Sequence, residues 1–244
     1  MDPQGNASSC LGVEKETFAK ANIYHALINE ENFESCIYKT ELPLLDLCPS
    51  NNDLVGAELE LVHMFARESK LKVALEAIQH KYDYIIIDCA PSLNLLTVNA
   101  FTAAHTYLVP MQTEYLAMEG LSQLLNTVRL IRASLNPRLS LEGILLTMYD
   151  SRNNLCKLVA NDLMTHFKDD ILKSIIPRNV KLSECTSFGK PIILYDITSK
   201  GSEAYLSLAR EIILKTGPKA ETNHQVKMPL TNQIPKFEDY QVQS

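Results

Sequence analysis

The sequence predicts an α/β fold, a mainly parallel sheet flanked by helices. Short apolar runs alternate with longer amphipathic runs from about residue 44 to residue 216. One apolar run, within YDYIIIDCAP at 82–91, is almost continuous, as in a strand that is buried on both faces. The chain has 244 residues, 46% hydrophobic and 21% charged, which is a globular composition with enough residues for one large core.

The elements are predicted in chain order from the spacing of apolar residues and from stop signals. The helix over 113–137 is the clearest, because five apolar residues share one face and Asn136-Pro137 ends it. Those five are Leu121, Leu124, Leu125, Val128 and Ile131. The other predicted helices lie at 23–28, 53–81 with Asp53 as N-cap, 95–104, 154–167 and 199–217. Strands are expected within 43–51, 82–91, 105–111, 139–150 and 171–177, and acidic loops elsewhere in 11–43.

The chain divides into a domain and a tail. We expect one domain over 1–217, because Gly217 ends the last predicted helix. Residues 218–244 are polar, carry three prolines and show no apolar period, so we expect a disordered or loosely docked tail.

Charge, cysteine usage and hydropathy argue against a broadly basic nucleic-acid-binding surface, a zinc site and a membrane span. The net charge of −6 and a pI of about 5.6 mean that any contact with DNA has to come from a local basic patch. The six cysteines show no C-x-x-C and no zinc spacing, which favours reduced thiols in a cytoplasmic core. They are Cys10, Cys36, Cys48, Cys89, Cys156 and Cys185. No apolar run reaches the length of a membrane span, so we expect no membrane association.

Asp88 is the first candidate site residue. It follows four apolar residues at the carboxyl end of a predicted buried strand, where ligands bind in open α/β sheets. A carboxylate there can hold Mg²⁺ through water, which is the Walker B role, or it can merely cap the next helix. A matching phosphate loop, G-x-x-x-x-G-K-[ST], does not occur in the sequence, and neither do G-x-S-x-G, H-E-x-x-H or G-x-G-x-x-G.

Seven blocks of sequence together resemble the ParA/Soj chromosome-partitioning ATPases, relatives of MinD with a deviant Walker A loop. The blocks are DPQGNASSCLGV, DLVGAELELV, YDYIIIDCAPSLNLLTVNA, EYLAMEGLSQLLNTVRLIR, EGILLTMYDSRNNL, IPRNVKLSE and GKPIILYDITSKGSEAYLSLA. They occur in the family's order and cover roughly residues 2–216. The resemblance implies a P-loop NTPase-like sheet, with ATP and Mg²⁺ as cofactors.

The resemblance also implies roles for particular residues. Asp2 matches the switch carboxylate that positions the attacking water, although it could simply support the turn in DPQGN. Asp88 matches the Walker B aspartate, which lies near Mg²⁺ and does not ligate it directly. The loop that encloses the adenine base is matched by Pro177, Arg178, Asn179 and Val180, and Met148 can line the same pocket or serve the core.

The partners implied by the resemblance are DNA, a second copy of the chain and a ParB-type protein. Arg152 and Lys181 match basic positions that bind DNA without sequence preference in the ATP-bound homodimer, or they are two exposed basic residues. The family usually has Arg in place of Lys181, and electrostatic phosphate contacts tolerate that change. We therefore expect a cytoplasmic, nucleoid-associated protein whose ATP hydrolysis is stimulated by the ParB-type partner.

In the family, a strand, the Walker A loop, a helix and a second strand precede the turn DPQGN. This sequence lacks that unit, so it is not expected to hold a triphosphate and it is expected to be poorly stable or to aggregate. A misassigned start is our preferred explanation, and a truncated gene is the alternative. Two other functions are considered: a non-enzymatic remnant that binds DNA or a partner, and a MinD-like membrane regulator. The three prolines of the tail argue against the second.

Overall fold

The protein has the predicted α/β architecture, with a three-stranded main sheet and helices around it. The structure is a computed structural model that describes residues 1–28, 31–114 and 117–217. The helices are α1 (Asn6–Cys10), α2 (Ile23–Leu27), α3 (Leu54–Val62), α4 (Lys70–Glu76), α5 (Leu95–Ala103), α6 (Ala117–Ser134), α7 (Asn154–His166), α8 (Val180–Ser187), α9 (Ile192–Tyr195) and α10 (Lys200–Thr216). The strands are β1 (Tyr38–Lys39), β2 (Asp46–Leu47), β3 (Thr106–Gln112), β4 (Ser140–Tyr149) and β5 (Ile171–Pro177).

The main sheet has the strand order β3-β4-β5, and β4 and β5 run parallel. Ile144 lies opposite Ile171, Leu146 opposite Ile175 and Tyr149 opposite Pro177. The register shifts twice, because β5 has two more residues than β4 in the first interval and β4 has one more in the second. The second shift lies at the carboxyl ends of both strands, where the sequence predicts a binding loop.

Side-chain caps stabilise the starts of several described helices. The side-chain oxygens of Asn22, Asn94, Asn153 and Ser199 accept hydrogen bonds from the backbone N–H of Tyr24 (2.9 Å), Thr97 (3.1 Å), Leu155 (2.9 Å) and Ser202 (3.1 Å), respectively. The predicted helices at 23–28, 95–104, 113–137, 154–167 and 199–217 and the strands at 105–111, 139–150 and 171–177 are confirmed.

Contacts group the described chain into two compact units. The first contains residues 1–107, 121–140 and 184–191, and its core includes the fully buried Leu27, Leu54 and Leu61. The second contains residues 108–120 and 141–183 and everything described from 192 onward. The core of the second unit joins the sheet to α10 through Leu145, Leu172, Ile176 and Leu208. The expectation of one domain over 1–217 stays a prediction.

The single helix expected over 53–81 is wrong. The helix α3 ends at Val62, the chain takes a left-handed conformation at Ala66 with φ +51°, and helix resumes at α4. The buried side chain of Asn99, on α5, stabilises this break. Its Oδ1 accepts from the N–H of Leu71 (3.1 Å) and its Nδ2 donates to the carbonyl of Arg67 (2.8 Å). This contact between residues 28 positions apart holds the start of α4, so a local apolar period could not predict the interruption.

The strand expected within 82–91 is also wrong. Residues 83–90 form no β-ladder with any residue that the structure describes. Ile86 is 91% exposed, and Tyr84 and Ile85 are more than a third exposed. The composition suits a buried strand, but a strand needs a neighbouring strand to form a ladder, and no described strand pairs with this segment.

The expected short strand within 43–51 is confirmed as β2, which pairs antiparallel with β1. The sequence did not predict β1, which lies where acidic loops were expected. Lys39 and Asp46 face each other across this hairpin, with Nζ and Oδ2 2.8 Å apart. The hydroxyl of Tyr82 donates to the same Asp46 carboxylate at 2.7 Å, and this contact and burial raise the pKa of Tyr82 to about 12.

All six cysteines are free thiols. Cys36, Cys156 and Cys185 are buried, as expected of small core residues, whereas Cys89 is exposed. Desolvation raises the pKa of the Cys48 thiol to about 12, so this thiol stays protonated. The predicted tail, 218–244, lies outside the described residues.

Candidate functional site

Asp2 organises the turn that opens the chain. Its Oδ1 accepts from the N–H of Gln4 and its Oδ2 from the side-chain amide of Asn6, both at 2.9 Å. Its carbonyl accepts from the N–H of Gly5 (3.1 Å) and from the hydroxyl of Ser50 (2.6 Å). Gly5 has φ +67°, and a Cβ there would lie 2.5 Å from the Ser50 carbonyl oxygen, so only glycine fits. In this arrangement the Asp2 carboxylate supports the turn, and its hydrogen bonds hold it in one orientation.

Asp88 lies in the same compact unit as Asp2, near the end of the segment 83–90, which forms no β-ladder with any described residue. Partial loss of hydration raises the pKa of its carboxyl, the Met1 α-amino group opposes the rise, and the charge of Asp2 adds to it. The structure therefore brings the two predicted acidic residues within electrostatic reach of each other. A carboxyl group with a raised pKa next to a second carboxylate is an arrangement that a divalent cation would relieve.

Met148 lies in the irregular end of β4. It is one of three non-glycine residues with positive φ in the described chain, at φ +50°, and it falls inside the register shift between Leu146 and Tyr149. Strained residues and bulges of this kind are concentrated at binding sites, where they redirect a side chain. The Met148 side chain is 40% exposed, so the core role considered from the sequence does not describe it.

The predicted base-binding loop follows directly on β5. Pro177 ends that strand, and the N–H of Arg178 donates to the Tyr149 carbonyl at 2.9 Å. Asn179 then begins α8, because its Oδ1 accepts from the N–H of Lys181 at 2.9 Å. Val180 is 70% exposed. The loop is a strand-to-helix turn with a free apolar side chain at its tip, and its backbone is tied to the end of β4.

Arg152 is held by a neighbouring acidic residue that the sequence reasoning missed. Its Nε and Nη2 donate to the two carboxylate oxygens of Asp150, both at 3.0 Å. Side-chain and backbone hydrogen bonds from Arg152 lower the pKa of Asp150 to about 2, and the charge of Arg178 contributes to the shift. The spacing D-x-R after a strand end was the available signal, since an Asp there accepts from the residue two positions on.

Lys181 lies on the first turn of α8. Its Nζ lies 5.7 Å from the ring centroid of Tyr195, within the range of a cation–π contact. The structure therefore places Met148, Arg152, the loop 177–180 and Lys181 in one compact unit and Asp2 and Asp88 in the other. The roles assigned to these residues stay predictions.

The described residues contain neither a metal-binding cluster nor a helix that could span a membrane. In residues 1–28, 31–114 and 117–217, no three His, Cys, Asp or Glu side chains are arranged to hold a metal ion. Over the same ranges, the helices are too short or too polar to cross a membrane.

Comparison with known proteins identifies the family. A family model described as "AAA domain" matches residues 1–141. The chromosome partitioning protein ParA of Myxococcus xanthus is 52% identical over 220 residues, which are 90% of this chain and 77% of that protein. The sporulation initiation inhibitor protein Soj of Bacillus subtilis is 52% identical over 212 residues, 87% of this chain and 83% of Soj.

Solved structures agree with this result. The putative plasmid partition protein of Borrelia burgdorferi bound to AMPPNP has a TM-score of 0.76 and 25% identity, covering 88% of this chain and 84% of that one. The cobyrinic acid a,c-diamide synthase of Mycobacterium smegmatis, with an ATP analogue and magnesium, has a TM-score of 0.73 and 33% identity, covering 91% and 84%. The sequence identity and the shared α/β fold lead to one conclusion, that this chain belongs to the ParA/Soj family of chromosome-partitioning proteins.

Proposed function

We propose that this chain acts as a ParA/Soj-type partitioning ATPase in the cytoplasm. In this proposal it binds ATP with Mg²⁺, forms a homodimer, binds nucleoid DNA without sequence preference and is released when a ParB-type partner stimulates hydrolysis. The observation that carries the proposal is the 52% identity to ParA of Myxococcus xanthus over 90% of the chain.

The residues around Asp88 fit a magnesium ion. Carboxylate oxygens are the ligands that Mg²⁺ prefers, and Mg²⁺ keeps several waters, so one carboxylate can act through them. The raised pKa of Asp88 and the nearby charge of Asp2 both favour a cation at this place. Bound there, Mg²⁺ would neutralise phosphate charge. In our proposal Asp2 orients a water, once it is released from its hydrogen bonds to Gln4 and Asn6.

The loop that follows β5 fits the base of a nucleotide. Val180 supplies exposed apolar surface, and Met148 supplies a polarisable side chain from the irregular end of β4. The hydrogen bond between Arg178 N–H and the Tyr149 carbonyl keeps the two strand ends together. A preformed loop of this kind costs little conformational entropy when a ligand binds.

The phosphate end of the nucleotide is not fitted by the residues described. In residues 1–28, 31–114 and 117–217, no loop has the sequence G-x-x-x-x-G-K-[ST], whose backbone N–H groups cradle phosphates. We therefore assign binding roles to Asp88, Met148 and the loop 177–180, and we route no chemical step through the phosphates.

The contact with DNA is proposed for Arg152 and Lys181. Both are exposed in one compact unit, and each is held by a neighbour, Asp150 for Arg152 and the Tyr195 ring for Lys181. Two guanidinium donors of Arg152 are already occupied, so a phosphate has to compete with Asp150 or use the remaining donors. Binding of this kind falls steeply with salt, because it releases counterions.

Retention of mixed-sequence DNA, measured with ATP, with ADP and without nucleotide over a salt series, tests the proposal. We expect retention with ATP and Mg²⁺ only, in step with dimer formation by light scattering. Arg152→Ala and Lys181→Ala should each weaken binding for all sequences and lower the salt slope by about one. Lys168→Ala, an exposed lysine in the same unit, is the matched control and should bind as the unchanged protein.

A second candidate function is a non-enzymatic protein that binds DNA or a partner. The exposed basic side chains of Arg152 and Lys181, which can contact phosphates of DNA without a bound nucleotide, favour it. It predicts salt-sensitive DNA retention that is the same with and without ATP. DNA binding that is unaffected by both basic substitutions would contradict the assigned surface in either proposal.

A further inference from the structure

An open groove of about 470 Å³ lies along α6, within the first compact unit. Its floor is apolar and consists of Leu125, Val128, Ala133 and Pro137. Val128 is 2% exposed and packs in a cluster with Ile131 and Leu139, so it anchors this lining to the core, whereas Ala133 and Pro137 are exposed. Tyr107 forms one wall, and its ring lies edge-on against Phe101, with centroids 5.7 Å apart at 89°. The groove is therefore preformed and has a rigid base.

Two arginines border this floor. Arg129 and Arg132 are three positions apart on α6, so they point from the same face of the helix. Both are exposed, and neither pairs with an acidic side chain within residues 1–28, 31–114 and 117–217. In a chain with a net charge of −6, two unpaired guanidinium groups beside an apolar floor form a distinct local positive patch.

We infer that this groove binds an acidic amphipathic segment of a partner protein. Two carboxylates spaced one helical turn apart would match the two arginines, and an aliphatic or aromatic side chain between them would cover the floor. Charge complementarity selects an anionic occupant. The apolar floor favours a peptide over the phosphate backbone of DNA, which has no apolar group to place there.

The experiment uses the full chain and a short fluorescein-labelled helical peptide with glutamates one turn apart and leucines between them. Binding is followed by fluorescence anisotropy. We expect saturable binding that weakens with salt and falls about tenfold in the double variant Arg129→Ala, Arg132→Ala. Lys72→Ala, an exposed lysine of α4 in the same unit, is the control and should leave the affinity unchanged.

A second double variant, a peptide of opposite charge and labelled DNA serve as further comparisons. The double variant Arg129→Lys, Arg132→Lys keeps the charges and should retain most of the affinity, which separates charge from loss of folding. A peptide with lysines in place of the glutamates should not bind. The inference is overturned if the acidic peptide does not bind, if it binds the double alanine variant equally well, or if only labelled DNA loses affinity in that variant.

Discussion

At the scale of single residues, the ion pair between Asp150 and Arg152 makes a contribution to stability that depends on pH. Hydrogen bonds from the Arg152 side chain and N–H lower the pKa of the Asp150 carboxyl from 3.8 to about 2. The folded state therefore gains stability from this carboxylate above its ordinary value of 3.8. That gain is lost as the pH falls from 3.8 through about 2. Since the pair is exposed, the gain is small in salt.

The first prediction concerns this carboxyl group. Arg152→Ala removes the side-chain donors and leaves the backbone N–H, so the pKa of Asp150 should rise part of the way towards 3.8. A carbon-detected NMR titration of the Asp150 carboxyl measures it directly. Lys181→Ala serves as the control and should leave that titration unchanged. An unaltered Asp150 titration in the Arg152 variant would show that other donors set the pKa.

At the scale of elements, Glu211 supplies hydrogen-bond acceptors to the backbone at the first irregularity of the main sheet. Between the pairs Ile144–Ile171 and Leu146–Ile175, β5 has two additional residues, so part of its backbone leaves the ladder. The Glu211 carboxylate, on α10, accepts from the N–H of Lys173 (2.7 Å) and of Ser174 (2.8 Å). One charged side chain thus satisfies two displaced backbone donors and joins α10 to β5.

The second prediction follows from these two bonds. Glu211→Ala leaves two N–H groups without their acceptor and should lower the free energy of unfolding by roughly 1–3 kcal/mol, as measured by urea denaturation. Arg210→Ala changes an exposed neighbour on the same helix and should cost less than about 0.5 kcal/mol. Equal losses in the two variants would mean that Glu211 acts only through helix propensity.

At the scale of the whole molecule, the segment 83–90 is the part of the described chain that we expect to promote aggregation. It has the composition of a central strand, forms no ladder with any described residue and exposes Ile86 almost completely. An exposed apolar segment of high β-propensity outside any ladder is a template for pairing with another chain. We therefore expect concentrated protein to associate through this segment.

The third prediction tests that association. Ile86→Lys should slow aggregation, followed by light scattering at increasing concentration, because it places a charge on the exposed segment. The melting temperature should hardly change, since the side chain is 91% exposed. Leu59→Lys, at an exposed apolar position of α3, is the control. If both substitutions slow aggregation equally, general charge and not the segment is responsible.

Local sequence was sufficient for the elements whose signals are local. The apolar face of α6, the helices after Asn94, Asn153 and Ser199, and the end of β5 at Pro177 all agree with prediction. Caps, stop signals and helical periodicity act over a few residues, so one sequence contains them completely. The same holds for the turn at 2–5, where Asp2 and Gly5 meet.

The sequence by itself determined the fold class, the family and the candidate residues, because seven ordered motifs specify them. Tertiary structure alone decided three features. Asn99 holds the start of α4 after the interruption of the helix expected over 53–81, Met148 takes a strained conformation inside a register shift, and residues 83–90 form no β-ladder with any described residue. Each depends on a partner far away in sequence, or on the lack of one among the described residues, and backbone groups follow the hydrogen bonds that the assembled fold offers them.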